Sequence, residues 1–350
     1  MSTGRRARYA KRLALATPNE LERLELAKKR IRSVLTRHTI ASHRTLEQKI
    51  ADAGPSNQRI NPHVLSNALH ALEAAGELLE RQEGNGSWLY LNTAPVDLVE
   101  SRLTEQLALW KLTQDGRLIL RLGQTLEIAV YRAMLPQDSY RFLGAFLDLQ
   151  EHDDSTAYRK EEPPGVLDGN SIGDRKFDFV LSNPVAGWVG VEVKNKREWI
   201  YPGHKDIRDL LAKALTVDAV PVLIARRIPF VTFRVLSPCG LVIHQTYNQL
   251  FPWSERDLVV KLREKTLLGY HDIRLGNDPD SRLKTFLVTN LPKVLPGARA
   301  RFEQHRDLLD AYARGNMPYE EFAARVRRRQ KGVDEDHDPG EESDDFDYES

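Results

Sequence analysis

The chain has 350 residues, of which 41% are hydrophobic and 29% charged, which is enough for two domains with separate cores. No apolar run approaches the ~18 residues that a membrane span needs, and the basic N-terminus lacks the apolar core of a secretion signal. A single cysteine, Cys239, excludes an internal disulfide and a cysteine-based zinc cluster. These features predict a cytoplasmic protein with no membrane partner.

The formal net charge of +1 conceals an uneven distribution. Ten acidic residues and no lysine or arginine lie between Asp334 and Ser350. The preceding residues therefore carry 51 basic against 40 acidic side chains, a formal charge of +11 that suits a polyanionic partner such as nucleic acid. We expect the acidic tail, residues 332–350, to be disordered; it either keeps the protein soluble or covers the basic surface as an autoinhibitor.

Residues 1–16 form a basic arm, and residues 17–94 predict a small domain of three helices and a hairpin. The segment Thr17–Glu20 has the form of a capping box and opens the first helix, while Asn61-Pro62 begins the third. A Gly-Asn-Gly turn at residues 84–86 joins the two strands of the hairpin. This order resembles a winged helix-turn-helix domain.

In DNA-binding members of that class the third helix enters the major groove and the wing contacts phosphate. The resemblance makes Arg59, Asn67 and His70 candidate DNA contacts, with Arg81 near the wing. The third helix has no lysine or arginine between residues 61 and 76, so docking of a protein partner stays equally open.

The centre of the chain predicts two strands joined by a turn. Apolar residues alternate from Phe177 to Leu181, and a β-branched run extends from Trp188 to Val193. Asp178 interrupts the first strand, and Glu192 lies 14 residues later in the second, so that a hairpin brings the two carboxylates together.

Charged side chains in such strands are costly unless they are paired or bind a metal. Asp178 and Glu192 offer hard oxygen ligands, which suit Mg²⁺ or Mn²⁺. Lys194 leaves the same face as Glu192 and can orient a water and stabilise charge on a phosphate. A structural ion pair without a metal is the alternative.

The pattern Asp178…Glu192-Val193-Lys194 resembles the D…(D/E)xK signature of PD-(D/E)XK, or restriction-endonuclease-like, nucleases, with the E-V-K form typical of Holliday-junction resolvases and Mrr-type enzymes. The order of elements from about residue 118 to 226 is also similar: a helix carrying Glu127, three strands of which residues 140–149 are the first, a helix and a strand. Phe177 stands where the family name has proline, and a long polar loop, residues 151–171, precedes Asp178.

The resemblance implies an α/β (α+β) fold in which helices flank a mixed sheet, over residues 97–255. It implies that Asp178, Glu192 and Lys194 are catalytic, with Glu127 completing the site, and that Asp178, Glu192 and the carbonyl of Val193 hold the metal. Glu127 as an ordinary surface charge is the alternative. Because double-strand cutting by such folds needs two active sites, a homodimer is expected.

Basic and aromatic residues follow the motif and are candidates for holding the nucleic acid. These candidates are Lys196, Arg197, Trp199, Lys205, Arg208, Arg226 and Arg227. Trp199 either stacks on a base or wedges a helix onto the sheet.

The remaining chain predicts further strands at residues 230–236 and 240–250 and a mainly helical extension over residues 256–331. A helix at residues 96–114 is expected to pack against the nuclease-like domain. The sequence as a whole predicts a metal-dependent endonuclease that cuts DNA. Cleavage of RNA, or a non-catalytic DNA-binding scaffold on the same fold, are the alternatives.

Overall fold

The computed structural model describes residues 18–51, 60–83, 86–136 and 138–333. The predicted basic arm, Arg59 and the acidic residues from Asp334 onward lie outside the described residues. Within the described ranges, no helix is long and apolar enough to cross a membrane.

The chain packs into two compact units whose boundaries differ from the predicted domains. Of the described residues, unit 1 comprises those up to Leu118 together with Arg256–Ile273, and unit 2 comprises those from Ile119 to Glu255 and from Arg274 onward. The segment predicted as a single C-terminal extension, residues 256–331, is therefore divided between the two units.

Unit 1 begins with three helices and a three-stranded sheet. The elements are α1 (Pro18–His38), β1 (Ile40–Ser42), α2 (His43–Ile50), α3 (Pro62–Ala74), β2 (Leu78–Glu83), β3 (Gly86–Leu91) and α4 (Val96–Thr113). Strand β3 lies between β1 and β2 and is antiparallel to both.

The three helices pack because each carries an apolar stripe at helical spacing. On α1 the stripe runs through Leu24, Ala27, Ile31 and Leu35, and it shares a core with the buried face of α3. Ser42 begins α2 and accepts a hydrogen bond from the Thr45 backbone N–H at 3.2 Å.

Helix α4 packs within unit 1, and the prediction that it packs on the nuclease-like domain is wrong. Val99 and Leu103 are buried against Ile40 and Trp88. The side-chain amide of Gln106 also donates to the carbonyl of Ile40 at 2.8 Å. The sequence predicts the apolar stripe of this helix but not the surface that covers it.

Unit 2 is built on a five-stranded mixed sheet. Its elements up to the last strand of this sheet are α5 (Gly116–Met134), β4 (Arg141–Leu143), β5 (Ala145–Phe146), β6 (Lys160–Glu161), β7 (Val166–Leu167), β8 (Asn170–Ser171), β9 (Phe179–Asn183), β10 (Gly187–Lys194), α6 (Lys205–Thr216), β11 (Val220–Ala225), α7 (Phe230–Leu236) and β12 (Val242–Gln245).

The order of strands across the sheet is β12, β11, β10, β9 and β4. Strands β10, β11 and β12 are parallel, while β9 is antiparallel to both β10 and β4. The short pairs β5–β6 and β7–β8 are antiparallel ribbons outside this sheet. The α+β class predicted from the sequence is confirmed.

The later part of the chain adds short strands and helices. They are β13 (Gln249–Phe251), α8 (Arg256–Arg263), β14 (Ile273–Leu275), α9 (Ser281–Thr285), a π-helical turn (Phe286–Asn290), α10 (Leu291–Gln304), α11 (Arg306–Ala313) and α12 (Tyr319–Lys331).

Two apolar layers cover the sheet of unit 2. On one face α5 and α10 pack against alternate residues of β10, namely Val189, Val191 and Val193. On the other face α6, α11 and α12 pack against residues that include Phe177 and Leu223. Because strand side chains alternate, Glu192 and Lys194 leave β10 on the α6 side.

Two of the predicted strands differ in the structure. Residues 230–236 form the helix α7, which follows Pro229 at its N-cap, and not a strand extending the sheet. The predicted first strand at residues 140–149 is divided into β4 and β5 at Gly144, whose φ of +100° favours glycine.

Candidate active site

The carboxylate of Asp178 is fixed against the neighbouring strand. Asp178 directly precedes β9, and its backbone N–H donates to the carbonyl of Val191 at 3.0 Å. Its Oδ2 accepts a hydrogen bond from the Val193 N–H at 2.6 Å. The hairpin predicted from the sequence therefore brings Asp178 beside the Glu192–Lys194 end of β10.

The structure brings together the three predicted catalytic side chains. Lys194 Nζ donates to Glu192 Oε1 and lies 3.9 Å from Asp178 Oδ2. The Glu192 side chain is 8% exposed, whereas those of Asp178 and Lys194 are each 19% exposed. The site therefore has one buried carboxylate and two groups that solvent can reach.

Glu127 belongs to the same cluster and is not an ordinary surface charge. It lies on α5, and its Oε2 accepts a hydrogen bond from Lys160 Nζ at 2.7 Å. The same ammonium group is 3.7 Å from Asp178 Oδ1. Lys160 thereby links Glu127 to Asp178, at the centre of the predicted site.

Lys213 is a second amine that the sequence analysis missed. Its Nζ donates to Glu192 Oε2 at 2.7 Å and to the carbonyl of Lys176 at 2.8 Å, and it lies 3.0 Å from Asp209 Oδ2. The Lys213 side chain is 2% exposed. The two oxygens of Glu192 are thus held by two different lysines.

A sequence signal existed for Lys213 but not for Lys160. Lys213 lies between Leu210, Leu211 and Ala214 on the apolar stripe of α6, where an unpaired charge is costly. Lys160 lies in the polar loop before Asp178, where no periodicity distinguishes it from the acidic residues that follow it.

The charges of the cluster shift the pKa values of its members. Burial raises the pKa of Asp178, and the charge of Glu127 adds to this effect. Burial and the charge of Asp178 likewise raise the pKa of Glu192. Burial alone would lower the pKa of Lys194, but the charges of Asp178 and Glu192 outweigh it and raise that pKa, so Lys194 is an ammonium ion at neutral pH.

The donor set fits a divalent cation of the Mg²⁺ class. In the part of the chain that the structure describes, no three His, Cys, Asp or Glu side chains are grouped to hold a metal on their own. Asp178 and Glu192 supply two hard carboxylate ligands, to which the Val193 carbonyl and water would be added. Burial and the charge of a neighbouring carboxylate raise the pKa of each group, and a bound cation would offset both effects. A cation entering the cluster competes with the lysines for these oxygens.

Among the predicted nucleic-acid contacts of unit 2, Trp199 and Arg226 are buried. The Arg226 guanidinium donates to the backbone carbonyls of Lys196 and Arg197, so it holds the segment after β10. Trp199 is 9% exposed and stacks on Tyr201 with 6.5 Å between ring centroids. Neither side chain presents its polar or aromatic face to solvent.

The other predicted contacts keep at least part of the side chain accessible. Lys205 is exposed, and Lys196 is 39% exposed while pairing with Asp206 at 2.7 Å. Arg197 donates to Gln249 Oε1 at 3.2 Å. The half-buried guanidinium of Arg208 lies 5.0 Å from the ring centroid of Tyr312.

Arg227 is half-buried and lies over an aromatic ring. Its guanidinium carbon is 5.2 Å from the ring centroid of Tyr247.

The predicted contacts of unit 1 that the structure describes do not form a basic surface. Asn67 and His70 lie half-exposed on α3. Arg81, predicted beside the wing, pairs with Glu100 and lies 3.6 Å from Glu83. Both acidic partners reduce the positive potential that a phosphate contact needs.

Comparisons with protein-family models, with curated proteins and with solved structures found no match to this chain.

Proposed function

We propose that the protein is a metal-dependent endonuclease that hydrolyses the phosphodiester bonds of DNA, with a PD-(D/E)XK-type site. The observation that carries the proposal is the meeting of Asp178, Glu192 and Lys194 at the end of two adjacent strands. The order of strands, with β9 antiparallel and β11 parallel to β10, also agrees with a restriction-endonuclease-like sheet.

Asp178, Glu192 and the carbonyl of Val193 would hold Mg²⁺ or Mn²⁺. When bound, the ion supplies positive charge against the phosphate and makes a nearby water more acidic. Lys194 is charged, so it acts as a hydrogen-bond donor that orients water and stabilises negative charge on the reacting phosphate. Lys160 holds Glu127 beside Asp178, and Lys213 holds the far oxygen of Glu192.

The order of elements in unit 1 supports a winged helix-turn-helix domain. Three helices precede a hairpin, and β1 completes a small sheet. Because α3 has no lysine or arginine and Arg81 is paired, docking of a protein partner is the function of this domain that we favour over DNA contact. We retain a homodimer as the assembly that cuts both strands.

The test incubates the protein with plasmid, linear duplex, branched duplex and RNA, with Mg²⁺ or with EDTA. We expect cleavage of DNA with Mg²⁺, none with EDTA, and loss of cleavage in Lys194→Ala with binding largely kept. Normal cutting by Lys194→Ala would contradict the mechanism. Cleavage confined to RNA would make the protein a ribonuclease, and DNA binding without cleavage of any substrate would support a scaffold.

A further inference from the structure

Tyr247 has a backbone conformation that bulky residues rarely adopt. Its φ is +66°, in the left-handed region, and its side chain is 42% exposed. Such a conformation costs of order 1 kcal/mol or more and persists where the surrounding structure imposes it, often at functional sites. Here the backbone N–H of Tyr247 donates to the carbonyl of Arg226 at 3.0 Å, which fixes the turn after β12 to the end of β11.

The guanidinium groups of two arginines lie beside the ring of Tyr247. The guanidinium carbon of Arg227 lies 5.2 Å from the ring centroid, and that of Arg282, from α9, lies 5.1 Å from it. Cation–π attraction engages the planar face of a guanidinium, whereas hydrogen bonds to phosphate are donated from its edge. The ring therefore has two positive charges beside it, and a polyanion bound there would lower their mutual repulsion.

Arg282 is exposed, and within the described ranges it has no carboxylate at ion-pair distance. The nearest acidic residue in sequence, Asp280, is engaged as the N-cap of α9, where its Oδ1 accepts a hydrogen bond from the Leu283 N–H at 2.8 Å. The positive charge of Arg282 is therefore directed to the ring of Tyr247 and to solvent.

The register of the parallel strands relates this ring to the carboxylate cluster. Lys194 pairs with Ala225, which pairs with Gln245, so the three residues lie on one rung at the same edge of the sheet. Arg227 and Tyr247 each follow that rung by two residues. Two strand spacings separate β10 from β12, which gives roughly 10 Å across the sheet. A DNA backbone covers that distance in about three nucleotides.

We propose that Arg227 and Arg282, aligned by Tyr247, form a phosphate clamp that grips the backbone of the nucleic-acid strand a few nucleotides from the bond that is cut. The inference depends on the proposed nuclease function for the identity of its ligand, because the clamp lies at the same sheet edge as Lys194. Because the contact is to phosphate, it does not depend on the base sequence of the nucleic acid.

The test measures the binding of labelled duplex and single-stranded oligonucleotides by fluorescence anisotropy in EDTA, over a series of salt concentrations. Arg282→Ala should weaken binding about tenfold for every base sequence. It should also reduce the slope of log affinity against log salt by about 0.9 for duplex and 0.7 for single strands, as expected for one lost phosphate contact. Arg227→Ala should act in the same way.

Three further variants serve as controls. Lys284→Ala removes an equal charge two residues from Arg282 on an exposed part of the same helix, and it should change affinity and slope much less. Tyr247→Phe keeps the ring and should bind like the unaltered protein, whereas Tyr247→Ala should resemble loss of an arginine. Melting temperatures identify any variant that fails to fold. Because Arg282 is exposed, Arg282→Ala should fold normally, and its affinity and salt slope decide whether the clamp exists.

An unchanged affinity and salt slope in Arg282→Ala, or an effect equal to that of Lys284→Ala, would overturn the clamp. Displacement of the oligonucleotide by inorganic phosphate at equal phosphate concentration would also overturn it, since it would indicate a site for a free anion. If Arg282→Ala weakens binding as expected but the protein cuts no substrate, the clamp is supported and the nuclease proposal is contradicted. Cutting of DNA together with an unchanged salt slope in Arg282→Ala would overturn the clamp while the nuclease proposal stood.

Discussion

At the scale of single residues, Glu192 depends on two lysines from different parts of the chain. Lys194 donates to one carboxylate oxygen and Lys213 to the other. Removing one partner of a buried ion pair leaves a charge unpaired and costs about 3–5 kcal/mol, although the intact pair adds little net stability. Lys213 is therefore a positioning residue for Glu192, and its substitution is expected to lower the stability of the fold.

We expect Lys213→Met to lower the free energy of unfolding by about 3–5 kcal/mol, since it leaves the buried Glu192 with one partner. Adding Glu192→Gln should recover much of this loss because it removes the buried charge that has lost one of its two lysines, which a double-mutant cycle in urea would measure. Lys205→Met, on an exposed position of the same helix, should change stability by less than about 0.5 kcal/mol. Simple additivity of the two substitutions would contradict the pairing.

The raised pKa of Asp178 makes its charge a cost to the folded state. A carboxyl group whose pKa is higher in the folded than in the unfolded chain binds its proton more tightly when folded, so stability falls as pH rises through that pKa. Asp178→Asn should therefore melt at a higher temperature than the unaltered protein at pH 7.5 in EDTA. The difference should shrink as the pH is lowered through the pKa of Asp178, because the carboxyl group then takes up its proton.

A melting temperature of Asp178→Asn below that of the unaltered protein at every pH would contradict the inferred cost of burying the Asp178 charge. The same variant should lose cleavage, because the amide cannot replace a charged metal ligand. Gain of stability with loss of activity is the expected behaviour of a residue kept for function.

At the scale of elements, strand β10 requires a glycine where it passes Phe177. A Cβ added to Gly190 would lie 2.4 Å from the Phe177 ring, which is itself 1% exposed in the core. Gly190→Ala must displace that ring, and overpacking of this kind costs about 1–3 kcal/mol. Because Phe177 adjoins Asp178, we also expect reduced cleavage.

Denaturant unfolding and a cleavage assay on the same preparation test this prediction. Gly116→Ala is the matched control, since an added Cβ there meets nothing within 4 Å. Equal stability of the Gly190→Ala and Gly116→Ala proteins would contradict the close contact between β10 and Phe177.

Periodicity predicts some elements well and others poorly. The apolar runs that became β9, β10 and β11 are bounded by turns or polar residues, so their strands were predictable. Residues 230–236 are rich in β-branched and aromatic residues, yet they form α7, because packing of Val235 and Leu236 into the core outweighs strand propensity. The local sequence pattern predicts the type of an element only when the tertiary contacts of that segment favour the same type.

At the scale of the whole molecule, the candidate site was half predictable. The motif residues Asp178, Glu192 and Lys194 lie within one hairpin, so their meeting follows from strand register. Lys160 reaches the cluster from the short strand β6 and Lys213 from α6, over 33 and 21 residues of sequence separation from their partners. Contacts of this kind depend on tertiary packing, which the periodicity of apolar residues along the sequence does not reveal.

The central claim is that Asp178 and Glu192 bind one divalent ion, and a count of bound Mn²⁺ tests it most directly. Equilibrium dialysis without nucleic acid compares the unaltered protein with Asp178→Asn, Glu192→Gln and a control, Glu162→Gln. Glu162 lies 3.7 Å from Lys160 Nζ and is not one of the proposed ligands, so it controls for the loss of a nearby carboxylate. The proposed site predicts one bound ion that is lost in the first two variants and kept in the third. Equal Mn²⁺ binding by all four proteins, or none by the unaltered protein at millimolar Mn²⁺, would contradict it.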